Sequence, residues 1–447
     1  MKQTKYGLIT AICMITGIVI GSGIFFKADD ILLYTKGNML LGILIFCVAS
    51  FAIVFGSLTV SQLAMKTDKS GGIIAYAEEF INKETACAFG WFQLFLYLPS
   101  LIAVVSWVAG MYLCQLFGIA GSNKTWSIIG FFVMIVLFIM NMLSKRLGGL
   151  FQNASMFIKL IPLIVMAVVG FIWGKPESIL SHDISTVRTS MKGLGFLTAF
   201  APIAFSFDGW IVSTSISHEI KNSRKNLPLA LTIAPFIVLI AYIAYFVGIT
   251  SLIGTDAVLA HGNDSVYVAS NLLFGAVGAK IVLVFIVISV LGTINGLILG
   301  FIRLPSSMAA RGMLPFAEKL KDEDSPSAFY HSSLFAFIIS LVWCMLHFVT
   351  QEIGMNGDVS EIAICVSYLN YIILYITVMK MAKRGEIKGF WKGYVIPVLA
   401  SVGSLIIFSG SITNPMFPLY LVICYSIMAG AFFYQKKNPN RDNVVCE

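Results

Sequence analysis

A few polar or flexible residues stand inside long apolar runs of this sequence, where they can bind a charged ligand. Glycines interrupt the first run at Gly21-Ser22-Gly23, and a later run is interrupted at Phe205-Ser206-Phe207-Asp208-Gly209. A third run contains Lys159. Peptide groups at the ends of interrupted helices carry partial charges, and an intramembrane ammonium or carboxylate is functional by default. The pattern therefore indicates recognition of a small charged molecule.

The first interruption places Gly17, Gly21 and Gly23 midway along a run that is long enough to cross a bilayer. An unsatisfied peptide group in lipid costs several kcal/mol, so unwound backbone is tolerated where it lines a cavity or faces a ligand. The amides of Ser22, Gly23 and Ile24 would open a new half-helix, whose positive end suits a carboxylate. Alternatively, the glycines only allow close packing of helices.

The second interruption places Ser206, Asp208 and Gly209 in the middle of the sixth apolar run. The first and sixth runs would then open two five-helix repeats of opposite orientation, and paired interruptions of this kind indicate a binding site at the midplane. Carbonyl groups around 17–19 and 204–206 would accept a ligand ammonium. Together the two interruptions predict a site for the zwitterionic backbone of an α-amino acid.

Lys159 lies about nine residues, or roughly 14 Å, from the cytoplasmic start of its predicted helix. A lysine at that depth costs about 2.5 to 3.5 kcal/mol, so it needs partners, and carbonyls freed by the first interruption are expected to serve. Its ammonium could replace a bound sodium ion, or carry a proton if it titrates. A lysine beneath a thin membrane edge is the structural alternative.

The elements that must position these groups are membrane helices. Of the 447 residues 58% are hydrophobic and 12% charged, against roughly 25% charged in a soluble domain. The predicted fold class is therefore all-α, a polytopic membrane protein with twelve transmembrane helices of about 20 residues each. The expected spans are 6–34, 39–65, 86–118, 126–143, 150–174, 193–217, 229–253, 277–309, 329–349, 359–382, 394–411 and 417–435.

The whole chain, residues 1–447, is expected to form a single transmembrane domain. Residues 6–174 would be the first inverted repeat and 193–382 the second, with 394–435 forming two further helices. The first run is too long for the hydrophobic region of a signal peptide. With cytoplasmic termini, about 21 of the 30 Lys and Arg residues fall inside and about 7 outside, as the positive-inside rule predicts.

Composition argues against several other classes of protein. The net charge of +8 is spread over short loops, which indicates membrane topology and no nucleic-acid partner. The eight cysteines show no CxxC pair, so no metal site is expected, and no cofactor is expected either. Enzyme motifs such as a Walker A loop or HExxH are absent from the sequence. A receptor would need an output module, for which both termini are short. A channel would need an open polar lining, whereas the two interruptions indicate one occluded site.

Six segments resemble motifs of one transporter family. They are VIGSGIFFK (19–27), KSGGIIAYAEEF (69–80), KLIPL (159–163), FSFDGW (205–210), EIKNSRKNLPLA (219–230) and ARGMLPFAEKL (310–320). In combination they resemble the amino acid-polyamine-organocation superfamily, and within it the L-type amino acid transporter branch with its bacterial serine/threonine and alanine-serine-cysteine exchangers. The resemblance covers nearly the whole chain.

This resemblance implies a LeuT-type fold of two inverted five-helix repeats with discontinuous helices 1 and 6, and sodium-independent exchange. Phe205 would close over the substrate as an outer gate, although by itself it is one of 35 phenylalanines. Lys159 would occupy the vacant sodium position, and Tyr242 and Asn295 would tether the unwound segment or the substrate. The predicted substrate-binding residues are Gly21, Ser22, Gly23, Ile24, Phe205, Ser206, Asp208, Gly209, Tyr242 and Asn295.

The resemblance further implies small neutral L-amino acids as substrates, such as serine, threonine, alanine or cysteine, and a bacterial plasma-membrane location. Asp208 stands where members with larger substrates have a small residue, so it bears on substrate size. A proton-coupled amino acid or polyamine permease is the alternative. Animal members join a heavy subunit through a cysteine after the third span. The corresponding loop, 118–126, has no cysteine, so no disulfide-linked partner is expected.

Overall fold

A computed structural model describes residues 7–67, 69, 71–176, 184–213, 220–315, 317–322, 325–354 and 358–438. The regular elements within these ranges are helices, which confirms the all-α fold class. A helix satisfies its backbone hydrogen bonds within one segment, and a chain this apolar requires that in lipid. The termini, which were expected to be cytoplasmic, and the predicted end of the sixth span at residue 217 lie outside the described residues.

The first part of the chain forms helices that lead into and follow the first interruption. They are α1 (Leu8–Val19), α2 (Gly23–Tyr34), α3 (Met39–Ala64), α4 (Gly72–Phe80), α5 (Lys83–Phe92), α6 (Leu98–Phe117), α7 (Asn123–Leu143), α8 (Lys145–Ile158) and α9 (Leu160–Trp173). A π-helical turn, Gln93–Tyr97, joins α5 to α6. Helix α8 ends just before Lys159, and α9 begins just after it. Pro162, three residues further along, has no backbone N–H to donate to the preceding turn.

The second part of the chain begins with a short helix and a 3₁₀ turn, Gly195–Ala199. Its helices are α10 (Ile184–Ser190), α11 (Phe200–Ser206), α12 (Trp210–Ser213), α13 (Ser223–Ile253), α14 (Thr255–His261), α15 (Ser265–Phe301), α16 (Leu304–Ala310), α17 (Pro326–Glu352), α18 (Val359–Lys383), α19 (Ile396–Phe408) and α20 (Phe417–Lys437). The stretch between the predicted spans 229–253 and 277–309 is therefore largely helical. Helix α15 changes direction at Gly275, where φ is +69°.

The number of spans falls short of the predicted twelve. In the described part of the chain ten helical stretches are long and apolar enough to cross a membrane, and the bent pair α1 and α2 makes eleven. Each of these corresponds to a predicted span. The remaining prediction is the sixth span, which the structure divides between the 3₁₀ turn with α11, the short helix α12 and residues outside the description. Twelve spans therefore remain a prediction.

One compact unit comprises Met1–Gly72, Phe157–Ile286 and Ile364–Phe417. It contains both predicted interruptions. Helices α9 and α13 approach so closely that a Cβ atom on Gly170 would lie 2.2 Å from the Cα atom of Gly248. Small residues of this kind let membrane helices bring their backbones into contact. The unit that contains the two interruptions is therefore tightly packed between α9 and α13.

The other compact unit comprises Ile73–Met156, Val287–Ala363 and Pro418–Glu447. Helices α6 and α7 also pack through glycine, because a Cβ atom on Gly110 would lie 1.9 Å from the carbonyl oxygen of Trp126. Each unit contains segments from both halves of the sequence. The division into inverted repeats remains a prediction.

Candidate functional site

The first interruption is a true break between α1 and α2. The two helices are bent by 59°, and Ile20, just after α1, has an extended backbone with φ −68° and ψ 98°. Its N–H still donates to the Thr16 carbonyl, at 2.8 Å. Helix α2 begins again at Gly23. The side chain of Ser22 does not cap it, and the N–H of Phe25 donates to the Ser22 carbonyl at 3.0 Å. The predicted second half-helix is therefore present.

The second interruption separates α11 from α12 over residues 207–209. The N–H of Phe207 donates to Ile203 at 3.0 Å, and the N–H of Asp208 donates to Phe205 at 3.1 Å. Gly209 then takes φ +94°, a conformation that residues with a Cβ atom rarely adopt. The glycine therefore ends the first half-helix and redirects the chain.

The two breaks lie against each other. A Cβ atom on Gly23 would lie 2.9 Å from Cδ1 of Phe205 and 2.9 Å from the Cα atom of Ser206. A Cβ atom on Gly209 would lie 3.2 Å from the carbonyl oxygen of Ile18. Glycine thus serves here as much to leave space as to bend the chain. Close packing, the alternative interpretation of these glycines, therefore accompanies the break in the helix.

Tyr242 links the two breaks. Its side chain is fully buried on α13. The hydroxyl donates to the carbonyl oxygen of Ser206 at 2.8 Å and lies 3.4 Å from that of Val19. Because one hydroxyl proton serves one acceptor at a time, the shorter bond to Ser206 is the stronger contact. The hydroxyl therefore ties α13 to the end of α11, and the role of Tyr242 as a tether of the unwound segment or the substrate remains a prediction.

Lys159 contacts the first break, as the sequence analysis expects. Its side chain is 6% exposed, and its ammonium donates to the carbonyl oxygen of Gly17. That carbonyl belongs to the last turn of α1, where carbonyls lack a helical donor. The contact brings a positive charge to the negative end of the half-helix, which is a favourable arrangement. This hydrogen bond links the fifth span to the first, and a structural or coupling role for Lys159 remains a prediction.

Buried hydroxyl groups flank the first break. Ser22 is fully buried and Thr16 nearly so. Within the described residues neither Ser22 Oγ nor Thr16 Oγ1 has a hydrogen-bond partner. Buried polar atoms in native proteins almost always find a partner. These two hydroxyls therefore have capacity for a polar ligand.

Some of the carbonyls expected to bind a ligand ammonium already have donors. Gly17 accepts from Lys159, and Ser206 accepts from Tyr242. The Oγ atom of Ser206 itself donates to Pro202 at 3.0 Å, so its hydroxyl proton is used within α11. The carbonyl of Phe205 also accepts, from the N–H of Asp208. Binding of a ligand ammonium by the carbonyls at 17–19 and 204–206 remains a prediction.

Phe205 closes against α2. Its side chain is 6% exposed, and its ring packs edge-on against Phe26, with 5.3 Å between ring centroids. The ring also touches the position of Gly23. Asp208 and Gly209, by contrast, are half-buried. The gate role of Phe205 and the substrate contacts of Ile24, Asp208 and Gly209 remain predictions.

The sequence analysis missed an aromatic cluster beside the second break. Trp210 donates from Nε1 to the Tyr368 hydroxyl at 3.3 Å, and its ring lies 5.2 Å from that of Tyr371. The side chains of Tyr375 and Trp210 both contact α3. They meet at Gly56 of that helix, where an added Cβ atom would touch both of them. The three tyrosines recur at i, i+3 and i+7. That spacing places them on one helix face and was the available signal.

Asn295 belongs to the other compact unit. Its Oδ1 atom accepts from Asn141 Nδ2 at 2.9 Å, and its Nδ2 atom donates to the Gly148 carbonyl at 3.0 Å and to Gln152 Oε1 at 3.1 Å. These bonds join α15 to α7 and α8 within that unit. The side chain acts there as an interhelical tether. Its predicted contact with substrate remains a prediction.

Within the part of the chain that the structure describes, no group of three or more His, Cys, Asp or Glu side chains is arranged to hold a metal ion. The Lys159 ammonium is a charged group at the first break.

Comparisons with known proteins show the family of the chain. A sequence profile described as amino acid permease matches residues 6–443. The chain is 28% identical over 441 residues to the serine/threonine exchanger SteT of Bacillus subtilis (strain 168), covering 97% of each protein. It is 24% identical over 452 residues to the b(0,+)-type amino acid transporter 1 of Mus musculus, covering 97% of this chain and 87% of the mouse protein.

A solved structure shares the architecture. The chain is similar to MhsT, crystallised in complex with L-phenylalanine, with a TM-score of 0.61 and 15% sequence identity. The likeness covers 90% of this chain and 98% of that one. At this identity the comparison concerns the fold alone. It confirms the expected LeuT-type fold.

Proposed function

The chain belongs to the amino acid permease family of the amino acid-polyamine-organocation superfamily and is a multi-pass amino acid transporter, and from this premise we propose that it exchanges small neutral L-amino acids without sodium. Serine, threonine, alanine and cysteine are the proposed substrates. The exchange takes place across the cell membrane by alternating access, with both termini in the cytoplasm. The excess of Lys and Arg in the predicted inner loops supports this orientation.

The observation that carries the proposal is the meeting of the two breaks. Gly23 touches Phe205 and Ser206, and Tyr242 bonds to the carbonyl of Ser206. The amino end of α2 therefore lies beside the carboxyl end of α11. A substrate carboxylate meets the positive end of one half-helix and its ammonium the negative end of the other. Recognition through the backbone suits α-amino acids as a class.

The proposed sodium independence rests on Lys159. Its ammonium already neutralises the carbonyl of Gly17 at the end of α1. A sodium ion bound there would lie against a like charge, at a cost that is large in a medium of low dielectric constant. The Lys159 ammonium takes the place of the sodium ion throughout the transport cycle. It is therefore a structural charge in this proposal, and the coupling ion is dispensable.

The proposed preference for small substrates rests on Asp208 and on similarity. SteT is a serine/threonine exchanger, and Asp208 is half-buried within the second break. A carboxylate there accepts a hydrogen bond from a substrate hydroxyl or thiol. A substrate with a large apolar side chain would desolvate that carboxylate without replacing its hydrogen bonds. The small polar side chains of serine, threonine and cysteine therefore fit this environment best.

Purified protein in liposomes tests the proposal. We expect labelled serine to enter vesicles preloaded with unlabelled serine, threonine or alanine, and to enter empty vesicles far more slowly. Replacing sodium with potassium should leave the rate unchanged. Equal uptake into empty vesicles would reject exchange, and a requirement for sodium would reject the role given to Lys159.

Two further arms separate the alternatives. In a panel of competing amino acids the small neutral ones should inhibit serine uptake most strongly and larger ones progressively less, and putrescine should not compete. An imposed pH gradient should not drive uptake in the absence of internal amino acid. Accumulation driven by that gradient would favour the proton-coupled permease instead.

A further inference from the structure

Lys27 is a charged residue in the outward half of the broken first span that the proposed transport mechanism has not used. It lies on α2, four residues after Gly23, and its residue surface is 4% exposed. A buried ammonium in an apolar segment requires partners that compensate for lost water. Its carboxylate partner is Asp30, with 3.3 Å between Nζ and Oδ2. The side chain of Asp30 is 32% exposed, so this pair reaches toward water.

Two aromatic rings also lie close to the ammonium. Nζ of Lys27 lies 5.6 Å from the ring centroid of Phe26 and 5.7 Å from that of Phe205. Both distances are within the range in which a cation is attracted to an aromatic face. Phe26 and Phe205 also pack edge-on against each other. The ammonium therefore joins the ring of the second break to the helix that begins at the first.

Phe205 is held from several directions by α2. Gly23 provides the space in which its ring lies, Phe26 contacts the ring edge, and Lys27 attracts it electrostatically. Steric contacts with Gly23 and Phe26 decide where the ring fits. The cation–π contact with Lys27 adds an attraction that is lost as soon as the ring swings away. A residue that acts in this way controls the position of its neighbour.

We propose that Lys27 is a positioning residue that latches Phe205 in its closed orientation, with Asp30 holding the ammonium in place. The inference rests on the proposed transport function, in which Phe205 gates the substrate. Opening the gate separates the ring from the ammonium, so Lys27 biases the equilibrium toward the closed state. The bias retains bound substrate during the conformational change. It should appear in the apparent affinity for substrate more than in the maximal rate.

Stepwise fluorination of Phe205 tests the latch with little change in ring size. Phenylalanine carrying one, two and three fluorine atoms at this position weakens the negative ring face progressively. We expect the KM for serine exchange to rise with each fluorine, reaching about tenfold with three, which corresponds to about 1.4 kcal/mol. The same series in a Lys27→Met background should be flat. A flat series in the protein with native Lys27 would overturn the proposal.

Single substitutions give a second reading. Lys27→Met keeps the apolar stem and removes the charge, and we expect it to raise KM about tenfold while maximal rate changes less than threefold. Lys27→Arg retains a cation and should restore KM to within about twofold. Lys36→Met is the matched control, because Lys36 is exposed near the end of the same helix. A purely structural role for Lys27 would lower maximal rate and protein yield and would not be rescued by arginine.

A measurement without substrate separates the latch from the proposed function. With 4-fluorophenylalanine at position 205, ¹⁹F NMR of the purified protein reports the surroundings of the ring directly. We expect Lys27→Met to shift or split this resonance and Lys36→Met to leave it unchanged. If the protein fails to transport serine but the resonance responds to Lys27→Met, the latch stands and the substrate assignment falls. An unchanged resonance would refute the latch whatever the substrate.

Discussion

Replacing Lys159 with methionine removes a charge from the first break while keeping most of the side-chain volume. In the native protein the ammonium donates to the Gly17 carbonyl at the end of α1. Methionine cannot donate, so the carbonyl loses its partner in a buried place. A similar length of apolar stem remains to fill the space. The substitution therefore tests the charge and its hydrogen bond with little change in packing.

The expected loss follows from this contact. A hydrogen bond to a charged group contributes about 1.5 to 3 kcal/mol. If the contact is made in the transport-competent state, losing it lowers the exchange rate by about 10- to 150-fold, at about 1.4 kcal/mol for each factor of ten. The effect should appear mainly in the maximal rate, because Lys159 braces the helix end and does not touch the substrate in the proposed arrangement.

Serine exchange in proteoliposomes measures the effect. Lys280→Met is the matched control, since Lys280 lies on α15 with an exposed side chain, and it should keep the native rate. Thermal unfolding in detergent shows whether the Lys159 variant is folded. A folded Lys159→Met protein that exchanges serine at the native rate, with or without sodium, would refute the reasoning.

Other changes at the breaks have separate physical causes. Tyr242→Phe removes the bond to the Ser206 carbonyl, and we expect about 1 to 3 kcal/mol of lost stability in thermal or denaturant unfolding because a buried acceptor is left unpaired. Gly23→Ala adds a Cβ atom 2.9 Å from the backbone of Ser206. Such overpacking costs about 1 to 3 kcal/mol, so exchange should fall by tenfold or more. Gly149→Ala, with open space around it, should exchange normally. Gly209→Ala forces a side chain into φ +94°, at about 1 to 2 kcal/mol, and should lower the unfolding temperature; an unchanged temperature would contradict the strain argument.

Much of the architecture could be predicted because lipid restricts what a chain can do. Apolar runs must be helical there, so the spans followed from composition and length. The breaks were also visible, since glycine in mid-membrane weakens a helix locally. Lys159 was expected to contact carbonyls of the first break, and it contacts Gly17. These features depend on residues close together in sequence or on the cost of burying one charge.

Other features depended on contacts between distant residues. Tyr242 is 223 positions from Val19, and no local pattern shows that its hydroxyl reaches the Ser206 carbonyl. The tyrosines Tyr368 and Tyr371 share a helix face, but only packing brings them to Trp210. The interruption of the sixth span was predicted at residues 205–209, but only the tertiary contacts bring Ser206 of that break against Gly23 of the first. Family resemblance pointed to Asn295 without showing that its amide joins α7, α8 and α15.

The amino-acid sequence by itself determined that this protein lies in a membrane as helices, that two of those helices break, and that a lysine must find a partner in the bundle. Those conclusions follow from the cost of placing polar groups in lipid, which is paid residue by residue. Only the tertiary structure decided what the breaks face. Gly23 leaves room for Phe205 and Ser206, Tyr242 bonds across to the second break, and the Lys27 ammonium meets the Phe205 ring. Such contacts depend on how close two segments come in space when they are far apart in the chain, and the sequence alone does not show that distance.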